Sequence, residues 1–144
     1  KNIVYLWARK EFQNISKCYD CGIPVVKPRH VSKNILIMDF EGKDGKPENT
    51  LLESEIDEND YHQSIELISD LFKKAKLVHG DFSEYNIFKT KNGLKLFDLG
   101  SAVDTTHPNT INFLKRDINN ITNFFVKRGL TVENPADILE RITK

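Results

Sequence analysis

Two short apolar runs, each ending at an oxygen-bearing side chain, constrain this chain more than any other feature. Leu77-Val78 leads into His79-Gly80-Asp81, and Leu94-Lys-Leu-Phe97 leads into Asp98-Leu-Gly100. Asn86 follows Asp81 by five positions, and Asp98 follows it by seventeen. Asn86-Ile-Phe88 and Leu94 to Phe97 read as short strands around Lys89-Thr-Lys-Asn-Gly93, a connection with a glycine turn signal. A hairpin centred near Asn92 would set Asn86 opposite Asp98, with Cβ atoms about 5 Å apart.

Those residue types match the needs of phosphoryl transfer. A hydroxyl attacking a γ-phosphate needs a carboxylate to orient it and take its proton, and hard oxygen ligands to hold the metal that screens the phosphates. Asp81 suits the first task, Asn86 and Asp98 the second. Either motif alone would be read as an ordinary turn with solvated acids. Their occurrence together, in this order and each at the end of an apolar segment, favours the catalytic reading.

The rest of the chain describes a globular domain around that stretch. Its 144 residues are 39% hydrophobic and carry 21 basic against 21 acidic side chains, enough for one core and without a broad basic field. Direct nucleic-acid binding is therefore not supported by its charge. No apolar run approaches the roughly 20 residues of a membrane span, so no membrane partner is expected. Met38 is the only methionine and the first residue is Lys1, which is expected of a piece of a longer protein.

Apolar residues at Ile3, Leu6, Trp7, Ile15 and Cys18 suit an amphipathic helix over 3–19, ended by Gly22 and Pro24. Cys18 and Cys21 lack a second pair or a nearby His, which favours two reduced structural thiols over zinc or redox chemistry. Pro28 to Val31 and Asn34 to Phe40 read as two strands with a turn near Ser32-Lys33-Asn34, and Ile35-Leu-Ile-Met38 reads as a buried strand. Glu41 to Asp60 holds eight acidic residues and two lysines, and is read as a solvated, mobile connection. Helices follow over 61–75, 107–128 and 132–144, the first capped by Asp57, Asn59 or Asp60, the last by Asn134 ahead of Pro135.

The chain resembles the RIO family of atypical protein kinases, and within it the type-one branch, whose catalytic loop reads like His79-Gly-Asp-Phe-Ser-Glu-Tyr-Asn86. Trp7-Ala-Arg-Lys-Glu-Phe-Gln-Asn-Ile15, Cys21-Gly-Ile-Pro-Val-Val-Lys-Pro28, Ile37-Met-Asp-Phe-Glu-Gly-Lys-Asp-Gly45 and the run from His107 to Ile121 are similar to family segments in family order. The resemblance implies an α+β, protein-kinase-like fold. A partial small lobe would occupy 1–40, an acidic hinge 41–60, and a mainly helical large lobe 61–144.

The resemblance also implies roles. Asp81 would be the proton acceptor, Asp98 a metal ligand and the site of transient phosphorylation, and Asn86 the second metal ligand. Glu11 matches the glutamate that pairs with a phosphate-holding lysine, but that lysine and the phosphate-covering loop match nothing among the ten residues before it. Met38 and Phe40 would flank the adenine, His79 would support the loop from behind, and Asp117 would brace it. The run Asp98-Leu-Gly-Ser-Ala102 departs from the family's more usual Val-Ser-Gln after the metal aspartate.

The implied cofactors are ATP and magnesium, with manganese as a substitute, and the implied role is maturation of the small ribosomal subunit in the cytoplasm, with its precursor as partner. Two other function classes stand beside this serine/threonine kinase or ATPase. One is a small-molecule phosphotransferase of the aminoglycoside or choline kinase type, which uses the same two motifs. The other is a non-catalytic nucleotide-binding scaffold.

Overall fold

The computed structural model describes residues 3–144. Helix α1 (Ile3–Asp20) ends in a left-handed Gly22 at φ 81°, where the Ile23 N–H reaches the Cys18 carbonyl at 3.0 Å and the Gly22 N–H reaches that of Tyr19 at 3.1 Å. This pairs the last carbonyls of the helix, and only glycine takes that backbone conformation without cost. Ile15 and Cys18 are fully buried, whereas Trp7 is 62% exposed and Ile3 and Leu6 lie open as well. The apolar face expected along the whole helix is thus packed only in its C-terminal half. Cys18 and Cys21 are free thiols, and burial pushes the Cys18 thiol up to about 12, which keeps it protonated and inert.

Strands β1 (Pro28–Ser32) and β2 (Ile35–Met38) pair antiparallel around Lys33, whose φ is 53°. Strand β2 is not the buried strand that its apolar run predicts. Ile35 is 59% and Ile37 48% exposed, because α1 contacts this two-stranded sheet while the side chains alternate, leaving Leu36 and Met38 half-buried and the other pair open.

The acidic connection is more ordered than expected. It contains the hairpin of β3 (Gly42–Lys43) and β4 (Lys46–Pro47) and a 3-10 turn over Leu51–Glu53. A side chain at Gly42 would begin 2.0 Å from the Lys46 carbonyl oxygen, so the hairpin requires glycine there. Leu51 is fully buried, and the Arg128 guanidinium donates to the carbonyls of Leu52 (2.6 Å) and Ser54 (2.9 Å). Asp60 is also buried, held by the Lys89 ammonium at 2.8 Å.

Helix α2 (Glu58–Lys73) opens with Asp57 and Asp60 each accepting the other's N–H at 3.0 Å. Its apolar face, Ile65, Leu67, Ile68 and Leu71, packs with Leu114, Ile118, Ile121 and Phe125 of α3 (Thr110–Lys127) in one core. Helix α4 (Pro135–Thr143) adds Ile138 and Ile142, and its start is capped by Asn134 at 2.9 Å. Each such fully buried side chain contributes about 1.5–3 kcal/mol, so α2 and α3 form a rigid floor. Over that floor lie β5 (Leu77–Val78), β6 (Ile87–Thr90), β7 (Gly93–Leu96) and β8 (Val103–Asp104). Among the described residues no helix is long and apolar enough to cross a membrane.

Candidate active site

Strand β5 pairs antiparallel with β8, Leu77 facing Asp104 and Val78 facing Val103. The loop leaving β5 and the loop entering β8 therefore lie side by side. Ser101 fastens them, its hydroxyl donating to the His79 carbonyl at 3.0 Å.

His79 is buried and has both ring nitrogens engaged. Nδ1 accepts the Asp81 N–H at 3.1 Å, so it carries no proton, and Nε2 donates to the carbonyl of Asp98. This neutral tautomer links the two loops. It leaves no free nitrogen to take a proton from a substrate.

Asp81 is exposed, but its neighbours are not free to move. The Gly80 N–H donates to Asp117 Oδ2 at 2.9 Å and the Phe82 N–H to Asp117 Oδ1 at 3.0 Å. One carboxylate thus clamps the backbone on both sides of Asp81. Asp117 sits in α3, 1% exposed, and burial raises its carboxyl above the ordinary value, opposed by those two N–H groups and, more weakly, by the Arg116 charge. Gly80 turns through φ 85°, and a side chain there would begin 3.2 Å from the Ser101 carbonyl oxygen and 4.0 Å from Arg116 Nη2. Arg116 donates to the Gly80 carbonyl and stacks over Phe113 at 5.1 Å.

Asn86 ends a 3-10 turn started by Ser83, and its amide nitrogen donates to the Asp81 carbonyl at 2.7 Å. Its Oδ1 is left as the acceptor. Asp98 accepts the Gly100 N–H on Oδ1 at 3.1 Å. The hairpin register differs by one residue from the sequence reading: Thr90 pairs with Gly93 and Ile87 with Leu96, so the turn is centred between Lys91 and Asn92. Asn86 then lies opposite Phe97, whose N–H reaches the Asn86 carbonyl at 3.3 Å, and Asp98 lies one residue beyond. The two-residue turn decides this, with Thr90 Oγ1 donating to the Gly93 carbonyl at 2.8 Å.

Helix α1 reaches the same loop. Asn14 donates to the carbonyls of Leu99 (3.2 Å) and Ala102 (3.5 Å), and the Glu11 carboxyl lies against the same turn, 3.6 Å from where a Cβ on Gly100 would stand. Burial raises the Glu11 carboxyl above its ordinary value, and the nearby Asp98 carboxylate raises it further. No lysine or arginine is paired with Glu11 among the described residues. Met38 ends β2 and Phe40 follows it, and between them Asp39 forms a two-pronged pair with Arg29 at 2.5 and 3.0 Å.

The cluster of Asp81, Asn86 and Asp98 offers carboxylate and amide oxygens and no sulfur or imidazole acceptor. Among the described residues there is no group of three His, Cys, Asp or Glu side chains that would cage a metal. That donor set fits magnesium, which takes one or two protein oxygens and completes its octahedron with water and phosphate. Sequence reasoning missed Asn14, Ser101 and Arg116. Asn14 is one turn from Glu11 on α1, Arg116 adjoins Asp117 and Ser101 lies three residues after Asp98, so adjacency to those residues was the signal that could have found them.

The model of the RIO domain matches residues 1–138. The chain belongs to the RIO family. Among its relatives, the serine/threonine-protein kinase rio1 of Dictyostelium discoideum is 35% identical, over 99% of this RIO chain and 26% of that protein. The RIO-type serine/threonine-protein kinase Rio1 of Thermoplasma acidophilum is 38% identical, over 99% of this chain and 75% of that protein. The solved structure of the Rio2 kinase from Chaetomium thermophilum in an ADP/Mg2+-phosphoaspartate complex superposes with a TM-score of 0.76 at 26% identity, covering 95% of this chain and 44% of that one. The RIO chain spans between about a quarter and two fifths of the first eukaryotic relatives it matches. Its architecture is the kinase-like α+β fold of those neighbours.

Proposed function

We propose that this RIO chain carries the catalytic loop, the metal loop and their brace for an ATP- and magnesium-dependent serine/threonine kinase or ATPase. The observation that carries this reading is the clamp of Asp117 on Gly80 and Phe82, which presents the exposed Asp81 carboxylate beside Asn86 and Asp98. Asp81 orients the attacking hydroxyl or water and accepts its proton. Asn86 Oδ1 and Asp98 would hold magnesium, which when bound neutralises charge on the phosphates. His79, neutral and doubly hydrogen-bonded, fixes the distance between the two loops. Preorganisation of this kind spares reorganisation when charge develops.

Main-chain groups from Met38 to Phe40 take the adenine, and Glu11 stands ready to anchor a phosphate-holding lysine. Asp98 also acts as a nucleophile: a carboxylate oxygen attacks the γ-phosphorus, the bond to the β-phosphate oxygen breaks and ADP leaves, after which water hydrolyses the acyl phosphate. The phosphoaspartate in the Rio2 relative supports this cycle. Manganese substitutes for magnesium. The setting is late maturation of the small ribosomal subunit in the cytoplasm, with the precursor particle as partner, as the family resemblance implies.

The test is magnesium-dependent ATP turnover by this chain and by the natural protein that carries it, each beside Asp81→Asn, with acid-stable and hydroxylamine-labile phosphate measured in Asp98→Asn. Turnover abolished by Asp81→Asn, and labile phosphate absent from Asp98→Asn, are expected. Turnover indifferent to Asp81→Asn would overturn the reading.

A further inference from the structure

An open cleft of about 670 Å³ runs from the catalytic loop along one face of α3. Asp81, Glu84, Asn120, Asn123, Lys127 and Arg128 are among its lining residues, and along α3 Asn120 stands nearest the loop that Asp117 holds, with Lys127 and Arg128 farthest from it. Its charge is therefore divided, acids where the hydroxyl would react and bases farther along. Neither Lys127 nor Arg128 has a carboxylate partner among the described residues.

Arg128 is a cation fixed in place. Its guanidinium donates to the Leu52 and Ser54 carbonyls and lies 4.8 Å over the Phe124 ring, and no carboxylate among the described residues cancels its charge. Lys127 adds a second, flexible charge beside it. Asn120, Asn123 and Lys127 recur at three- and four-residue spacing and so share one helix face. From Asp117, which holds the Asp81 loop, to Lys127 is ten residues of helix, about 15 Å, and from Asn120 about 10 Å. That span corresponds to three or four residues of extended polypeptide.

The divided charge selects the ligand. A polyanion such as RNA would bring phosphates against Asp81 and Glu84 and be repelled there. A ligand neutral at its hydroxyl and negative about 10–15 Å away meets both ends, and side-chain amides between them pair equally well with peptide N–H and carbonyl groups.

We propose that this cleft takes an extended polypeptide acceptor whose serine or threonine hydroxyl sits at Asp81 and whose acidic side chain, three or four residues away, sits at Lys127 and Arg128. This rests on the functional reading above and adds the class of substrate. Because both contacts are solvent-accessible, the preference is modest, about 3–10-fold in kcat/KM, and weakens with salt.

The test uses serine peptides identical except for Glu, Ala or Lys at three and four positions to either side of the acceptor, phosphorylated by the natural protein carrying this chain, with peptide-independent ATP hydrolysis followed alongside. Glu at one such register should exceed Ala by 3–10-fold, with Lys below Ala, and Lys127→Glu should reverse the order so that the Lys peptide becomes best. In the 144-residue chain itself, the Asn120, Asn123 and Lys127 NMR signals should shift with the Glu peptide and not with the Lys peptide. Equal use of all three peptides while ATP hydrolysis persists, or absence of those shifts, would overturn the cleft assignment alone. Shifts as expected with no Asp81-dependent turnover would support the cleft and overturn the functional reading instead.

Discussion

Replacing Asp117 by Ala tests the structural centre of the site most directly. The carboxylate is 1% exposed and accepts from the Gly80 N–H at 2.9 Å and the Phe82 N–H at 3.0 Å. Truncation leaves both donors unpaired in a buried place, at about 1–3 kcal/mol each. Water entering from the exposed side of the loop recovers part of that, so the expected loss is about 2–5 kcal/mol. For a chain of this size it corresponds to a fall in Tm of about 6–18 °C. Urea denaturation gives the free energy, and hydrogen exchange locates it: the Gly80 and Phe82 amides should lose protection by more than the global change accounts for. ATP turnover should fall with it, since Asp81 lies between those two amides. Unchanged protection at Gly80 and Phe82, with stability within about 0.5 kcal/mol of wild type, would refute the claim that Asp117 holds the loop.

Three further outcomes follow from the same geometry. Glu11 has a folded-state carboxyl raised by burial and by Asp98, so the folded chain binds its proton more readily and wild-type stability declines as pH rises through that shifted range. Glu11→Gln should therefore raise Tm at neutral pH, with the gain vanishing below the ordinary glutamate range of about 4.3; an equal gain at every pH would contradict it. Glu133 is shifted the other way, chiefly by its hydrogen bond from Arg141, at 2.6 Å, so its contribution is present at neutral pH and lost as pH falls below the ordinary range. Stability profiles of wild type and Glu133→Gln should converge in acid. Leu51→Ala should cost about 2–4 kcal/mol in urea denaturation, because that side chain is fully buried, whereas a merely solvated connection would lose almost nothing.

The helices were legible because their signals are local. Asp57 and Asp60 three residues apart, Asn134 ahead of Pro135, and apolar residues recurring at three and four positions specify α2, α4 and α3 in their own sequence. The catalytic and metal loops were legible for a related reason, since their residue types and order reflect chemistry rather than packing. Besides the hairpin register, three expectations needed revision, each for a non-local cause. Ile35 and Ile37 form an apolar run that is open on one face, Trp7 lies on a helix face with little against it, and the acidic segment is tied down by Leu51, Arg128 and Lys89.

The hairpin register shows the division most clearly. Sequence placed Asn86 and Asp98 on adjoining strands but set them directly opposite, one residue out of the observed register, because several turns are compatible with Lys89 to Gly93 and a one-residue change leaves composition untouched. By itself the sequence determined the residue types at the site, the order in which they occur and the helices beneath them, since capping, periodicity and ligand chemistry act over a few residues. Tertiary structure alone decided that Asp117 from α3 clamps both sides of Asp81, that His79 joins the loops as a neutral link, and that Asn14 and Glu11 reach the turn at Leu99 and Gly100. Those contacts join residues distant in the chain, and their partners are selected only when the packing of α1 and α3 brings buried donors and acceptors within reach of one another.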